Sequence, residues 1–93
     1  MVTAIILLNV ERDKINETAQ ELLELGGVSE VYSIAGEWDL AVIVRVAANE
    51  ALADLVTEHM LKLSGITKST TLIAFKAWSK HDIERMFSIG MEE

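Results

Sequence analysis

The sequence predicts a small α+β domain of order β-α-β-β-α-β. Three observations carry that prediction: hydrophobic periods that alternate between strand-like runs and helical stripes, two glycine stops that each lead from a helix into a strand, and an internal repeat of that unit. A chain of 93 residues with no proline and no serine-rich linker has room for one domain and little more.

The elements follow in order. Val2-Thr-Ala-Ile-Ile-Leu-Leu-Asn-Val10 is a compact apolar run rich in β-branched residues, too short for a typical helix, and reads as a central strand that ends near Asn9. Asp13 is placed to cap the first helix, where Ile15, Ala19, Leu22 and Leu23 form an apolar stripe and Glu17, Glu21 and Glu24 take the other side. Gly26-Gly27 stops that helix, as a residue able to adopt positive φ does. Val28 to Ala35 and Leu40 to Val46 are the second and third strands, and Gly36-Glu37-Trp38-Asp39 between them has the length of a hairpin connection. Asn49 is placed to cap the second helix, along which Leu52, Val56, Met60 and Leu63 recur until Ser64-Gly65 ends it. Ile66 to Trp78 reads as a long fourth strand. Residues 79–93 read as a C-terminal helical extension of the domain formed by residues 1–78. In it Ser79 and Asp82 resemble a capping box, and Ile83, Met86 and Phe87 line one side. That stripe needs a partner surface, on its own subunit or on a neighbour.

The two halves look like copies. Leu23 to Ala35, LELGGVSEVYSIA, aligns without gaps on Leu61 to Ile73, LKLSGITKSTTLI, each running from a helix end through glycine into a strand. A ferredoxin-like sandwich is the economical arrangement, with four antiparallel strands and both helices on one face. The other sheet face is then uncovered, and strands this apolar would leave a large exposed patch there. Dimerisation through that face is the expected remedy, in keeping with a hydrophobic content of 51%.

Composition narrows the function. A net charge of −7 and scattered basic residues argue against direct binding of nucleic acid. No apolar run approaches the roughly 20 residues that span a bilayer, and Val2 to Val10 lacks a signal-peptide layout, so a cytoplasmic protein without membrane contact is expected. With no cysteine and only His59 and His81, no metal site and no cofactor are expected. His59, on the apolar side of the second helix, reads as a half-buried structural residue. No catalytic residue is proposed: the strands are almost purely aliphatic, and only Asn9, His59 and Arg45 converging in one pocket would favour an enzyme.

The hairpin residues Gly36-Glu37-Trp38-Asp39 allow two readings. In one, glycine supplies an unusual backbone angle and Asp39 bonds its own turn amides. In the other, free amides near Gly36 take a carboxylate, Asp39 takes an ammonium and Trp38 walls the pocket, so that a zwitterion is held at both ends. Shielding such bonds from water is easiest where one subunit covers another's loop. A salt bridge from Asp39 to Arg45 or Lys76 would instead favour a purely structural oligomerisation module.

Gly27-Val28 opening a strand, Tyr32, Gly36-x-x-Asp39-Leu40 at the hairpin, Gly65-Ile66, and Thr71-x-Ile73 with Lys76 together resemble the effector-binding (RAM) domain of the Lrp/AsnC family. The similarity covers essentially the whole chain, and the tail resembles a subgroup of small stand-alone members. The resemblance implies a dimeric αβ-barrel, dimers assembled into rings such as octamers, and amino acids or related small effectors bound between dimers. Carried over by position, the ligand-binding residues are Gly36, Trp38 and Asp39 in the hairpin and Thr71, Ile73 and Ala74 on the last strand. Thr71 would offer a hydroxyl, while Ile73 and Ala74 would shape the side-chain end of the pocket, which slightly favours a medium or large neutral amino acid. Full-length members begin with a helix-turn-helix domain, whereas this chain starts at Met1 directly with a strand. The expectation is a stand-alone effector-binding module, with a full-length Lrp/AsnC relative as a candidate partner.

Overall fold

The computed structural model describes residues 1–78 and Lys80. Strands β1 (Val2–Val10), β2 (Val28–Ser33), β3 (Leu40–Val46) and β4 (Ile66–Ile73) form one sheet in the order β2-β3-β1-β4, every neighbouring pair antiparallel. Helix α1 (Ile15–Leu23) joins β1 to β2. Helix α2 (Asn49–Asp54) continues through a π turn, Leu55–His59, and a 3-10 turn, Met60–Lys62, before β4. This is the ferredoxin-like arrangement expected from the sequence.

The register explains the core. Ala4 lies opposite Val44, Ile6 opposite Val42 and Leu8 opposite Leu40, so alternate residues of β1 and β3 share one face, and all six are buried. Leu22 of α1 and Leu52, Leu55 and Met60 of the second helical segment close over them. Each such side chain contributes roughly 1.5–3 kcal/mol by leaving water. The opposite face carries Thr3, Ile5 and Leu7 against Arg45, Ile43 and Ala41, with Tyr32 and Leu72 further out. Ile5 is 37%, Leu72 48% and Tyr32 49% exposed, so no helix among the described residues covers this side.

Several local expectations are corrected. Asp13 caps nothing: it sits inside a 3-10 turn, Arg12–Lys14, and α1 begins at Ile15 with no side-chain cap. Asn49 is the first residue of α2, and Ala48 holds the cap position. The stripe of α1 is rotated from the expected one, burying Thr18 with Leu22 and leaving Leu23 half in water. The π turn widens the second helix, so the step between buried residues stretches from Leu55 to Met60, and His59 at its end is exposed. Strand β4 stops at Ile73 and not at Trp78 because its partner runs out: Ile73 pairs with Ala4, and Ala74 N–H donates a last bond to Thr3 O at 2.9 Å. Strand β2 likewise ends at Ser33, two residues early. The expected helix after Ser79 lies outside the described residues.

Candidate functional site

The hairpin between β2 and β3 is closed by its own backbone. Ile34 N–H donates to Asp39 O and Asp39 N–H to Leu8 O, both at 2.9 Å, which carries the loop across onto the end of β1. There β1 runs on past its last pair with β3, Leu8 with Leu40. Val10 N–H lies on the same edge of β1 as Leu8 O and has no ladder acceptor beyond that pair. Val10 N–H donates instead to Asp39 Oδ2 at 2.9 Å. Asp39 thus pins the hairpin to the central strand, a third outcome beside the turn-amide bond and the salt bridge considered from sequence. Among the described residues it has no ion-pair partner.

Gly36 lies at the exposed apex with φ +125°, a conformation that only glycine adopts readily, and its neighbourhood is open. Trp38 is half-buried, with Lys68 Nζ of β4 5.3 Å from its ring centroid. One face of the indole therefore already meets an ammonium. Next to this end of the sheet, the Tyr32 hydroxyl donates to the Glu30 carboxylate, and that bond together with the negative charge raises the tyrosine pKa above its ordinary value.

The last-strand residues lie elsewhere. Thr71 pairs with Ile6 and Ile73 with Ala4, which sets both on the helix-covered side, where they meet Leu52, Ala53 and Val56 of the second helical segment around a groove of about 270 Å³. Ala74 follows, half-buried. Asp39 is level with Asn9 on the far side of β1, so strand geometry separates it from Ile73 by roughly 20 Å. Gly36, Trp38 and Asp39 are brought together, and so are Thr71, Ile73 and Ala74, but one chain does not unite the two sets.

The residues that would have favoured an enzyme also part. Arg45 pairs with Thr3, at the opposite end of β1 from Asn9. Arg45 and His59 instead border a cleft of about 590 Å³ beside Gly26, Gly27, Asp54 and Leu55. Sequence reasoning missed this cleft, whose only trace there is the paired glycine. Among the described residues no three His, Cys, Asp or Glu side chains are grouped to hold a metal, and no helix is long and apolar enough to cross a membrane.

Comparison with known proteins bears on this geometry. Residues 3–83 match the family model of the Lrp/AsnC ligand binding domain. The chain is similar to an uncharacterised HTH-type transcriptional regulator, PF0250, of Pyrococcus furiosus, being 32% identical over 76 residues, 78% of this chain and 51% of that protein. It thus spans about half the length of the curated relatives it matches. The crystal structure of TTHA0845 from Thermus thermophilus superposes with a TM-score of 0.80 at 36% identity, covering 86% of this chain and 100% of that one. The Neisseria meningitidis transcriptional regulator NMB0573, solved as a complex with L-Met, gives a TM-score of 0.77 at 16% identity over 84% of this chain and 52% of that one, a likeness of fold. A sheet of this order, a pinned Gly-x-x-Asp hairpin and a family match over nearly the whole described chain agree, and the chain belongs to the Lrp/AsnC ligand-binding domain family.

Proposed function

We propose that this chain is an amino-acid-binding and oligomerisation module that acts by binding and not by catalysis, with its effector held between subunits. The observation that carries the reading is the split of the candidate site: within one chain Asp39 of the hairpin stands roughly 14 Å from Thr71 and roughly 20 Å from Ile73. Two half-sites of that separation form one pocket when the hairpin of one subunit meets the end of β4 of another. Asp39 Oδ1 then receives the ammonium, amides near Gly36 receive the carboxylate, and the effector side chain lies against Ile73 and Ala74. The uncovered sheet face, with Ile5, Tyr32 and Leu72 part-exposed, supports a homodimer closed sheet to sheet into an αβ-barrel, from which a ring such as an octamer is built. The methionine complex of the neisserial regulator supports an amino acid as the ligand class. A full-length Lrp/AsnC relative is the partner through which such a module would reach transcription, since an effector that prefers one assembly shifts the equilibrium by its differential affinity. Residues 1–78 form the binding domain and residues 79–93 its extension.

A thermal-shift panel of the common amino acids at millimolar concentration, with mass in solution recorded for each hit, tests this. A ligand at 100 times its Kd adds about 2.7 kcal/mol. A selective hit that also changes the mass is expected. Asp39→Asn, which keeps an oxygen for Val10 N–H but loses the charge, should then weaken that hit by at least about tenfold, as a charge-assisted bond contributes roughly 1.5–3 kcal/mol.

A second reading has its own observation. The bond from Val10 N–H to Asp39 Oδ2 gives the aspartate a structural task without any ligand, as in a module that only oligomerises. A panel with no shift, and an Asp39→Asn variant with unchanged assembly, is its signature.

A further inference from the structure

We propose that Lys68 is a further effector-binding residue, whose ammonium takes the carboxylate of the same zwitterion that Asp39 holds by its amino group. The assignment rests on the amino-acid reading of this site and adds a charged partner to the amides near Gly36. Lys68 stands on β4, the edge strand, and pairs with Asn9 of β1. Asp39 lies level with Asn9 on the other side of β1, bonded to Val10 N–H. The three residues form one row across the end of the sheet, and two strand spacings set the Asp39 and Lys68 backbones roughly 10 Å apart. Lys68 is thus closer to the aspartate than Thr71 or Ile73 of the same strand.

Opposite charges at this range commonly pair with each other, and here they do not. Lys14 is paired with Glu11 and Lys62 with Glu58, but among the described residues neither Lys68 nor Asp39 is in an ion pair. Each has a partner that leaves its charge in place. Asp39 Oδ2 accepts from a backbone amide, which leaves Oδ1, and Lys68 Nζ lies 5.3 Å from the centroid of the Trp38 ring. An indole face attracts an ammonium without neutralising it, and all three donors of the lysine stay available. Because Trp38 directly precedes Asp39, the hairpin that places the carboxylate also holds the lysine beside it and off it. A long side chain positioned in advance loses less freedom when a ligand arrives. The row therefore presents an anion and a cation held apart, a gap that a molecule with an ammonium and a carboxylate on one carbon can close. One chain reads both charges of the effector, and Ile73 and Ala74 of another read its side chain. The ligand class narrows to free amino acids, against amines and carboxamides.

Isothermal titration of the full chain with the common L-amino acids and with their C-terminal amides separates the roles, since the amides keep the ammonium and lose the carboxylate charge. Wild type should bind its preferred amino acid at least about tenfold more tightly than the matching amide. Lys68 is exposed, so Lys68→Gln leaves the core intact. It should reduce that preference by about tenfold while the amide binds as before, and Lys68→Arg, which keeps the charge, should retain most of it. Asp39→Asn should instead weaken amino acid and amide together. Trp38→Leu, which frees the lysine, should lower the preference in the Lys68 chain and not in the Lys68→Gln chain. An unchanged preference in Lys68→Gln overturns the role of Lys68 and leaves the amino-acid reading standing. A wild type that binds no amino acid overturns that reading and this assignment with it.

Discussion

The two copies of the internal repeat make the same turn for different reasons. In the first, Leu25 N–H donates to Leu22 O at 3.1 Å, Val28 N–H to Leu25 O at 3.3 Å, and Gly27 O accepts from Arg45 N–H at 2.8 Å. In the second, Leu63 N–H donates to Met60 O at 3.1 Å, Ile66 N–H to Leu63 O at 3.3 Å, and Gly65 O accepts from Glu11 N–H at 2.9 Å. The bonds correspond one to one. The glycines do not: Gly27 has φ +95°, while Gly65 is not left-handed and is buried where a Cβ would collide with Thr18 Oγ1. The first copy needs a backbone angle as well as room, and the second needs room alone. The same letter in the sequence therefore stands for two physical demands. The surroundings differ to match, because the first turn borders the open cleft and the second is sealed by α1.

Substitutions can break that comparison, and Gly27→Ala should have the largest effect. It combines a left-handed angle, which costs an L-residue about 1–2 kcal/mol, with a Cβ placed 2.8 Å from Val46 Cγ1. A loss of about 3 kcal/mol by urea unfolding is expected once overpacking is added. Val46→Ala should recover only the packing part. Gly65→Ala should lose about 2 kcal/mol through overpacking alone, and Thr18→Ala in the same chain should recover most of it. If Thr18→Ala rescues neither glycine, or both respond alike to a smaller neighbour, the distinction between angle and room fails.

The copies diverge beyond their strands, and a smaller effect sharpens that difference. After β2 the chain turns into the Asp39 hairpin, whereas after β4 it runs on past Ile73. Asp39→Ala leaves Val10 N–H unpaired and should destabilise by about 1 kcal/mol, a fall in Tm of roughly 4–8 °C for a domain of this size. Asp39→Asn keeps the acceptor and should fall much less. Equal losses in the two variants would mean that charge, and not the hydrogen bond to β1, holds the hairpin.

What could be read from the sequence depended on periodicity. The apolar runs Val2–Val10 and Leu40–Val46 located both central strands, β3 to the residue and the end of β1 one residue short, because each buries every second side chain against helices. The gapless repeat located both turns. Thr18 escaped notice because a hydroxyl at a helical core position leaves no hydrophobic mark, although its spacing from Ile15 and Leu22 suits the same face. The over-long β4 had a different cause: residues 74–78 are as apolar as a strand, but whether they pair depends on how far β1 extends, which is a property of another segment. Of the candidate site, the hairpin residues were legible as a Gly-x-x-Asp element. Their separation from Thr71 and Ile73 was not, since it follows from sheet order and register. The bond from Val10 to Asp39 was hidden for the same reason, as it arises where β1 runs on past its last pair with β3.

Gly26 supplies the smallest effect and reverses the sign. It precedes Gly27 in the same turn, yet it is exposed, has no left-handed φ, and a Cβ there would meet nothing within 4 Å. Neither demand that its neighbour or Gly65 imposes applies to it. Its folded state loses nothing on gaining a methyl, and its unfolded state loses freedom, so Gly26→Ala should stabilise the chain by roughly 0.4–1 kcal/mol. Urea midpoints of Gly26→Ala and Gly27→Ala should accordingly move in opposite directions although the two sites are adjacent. A destabilising Gly26→Ala would show that the turn works as a glycine pair, and the contrast between angle at one copy and space at the other would then have to be redrawn with both glycines sharing the first role.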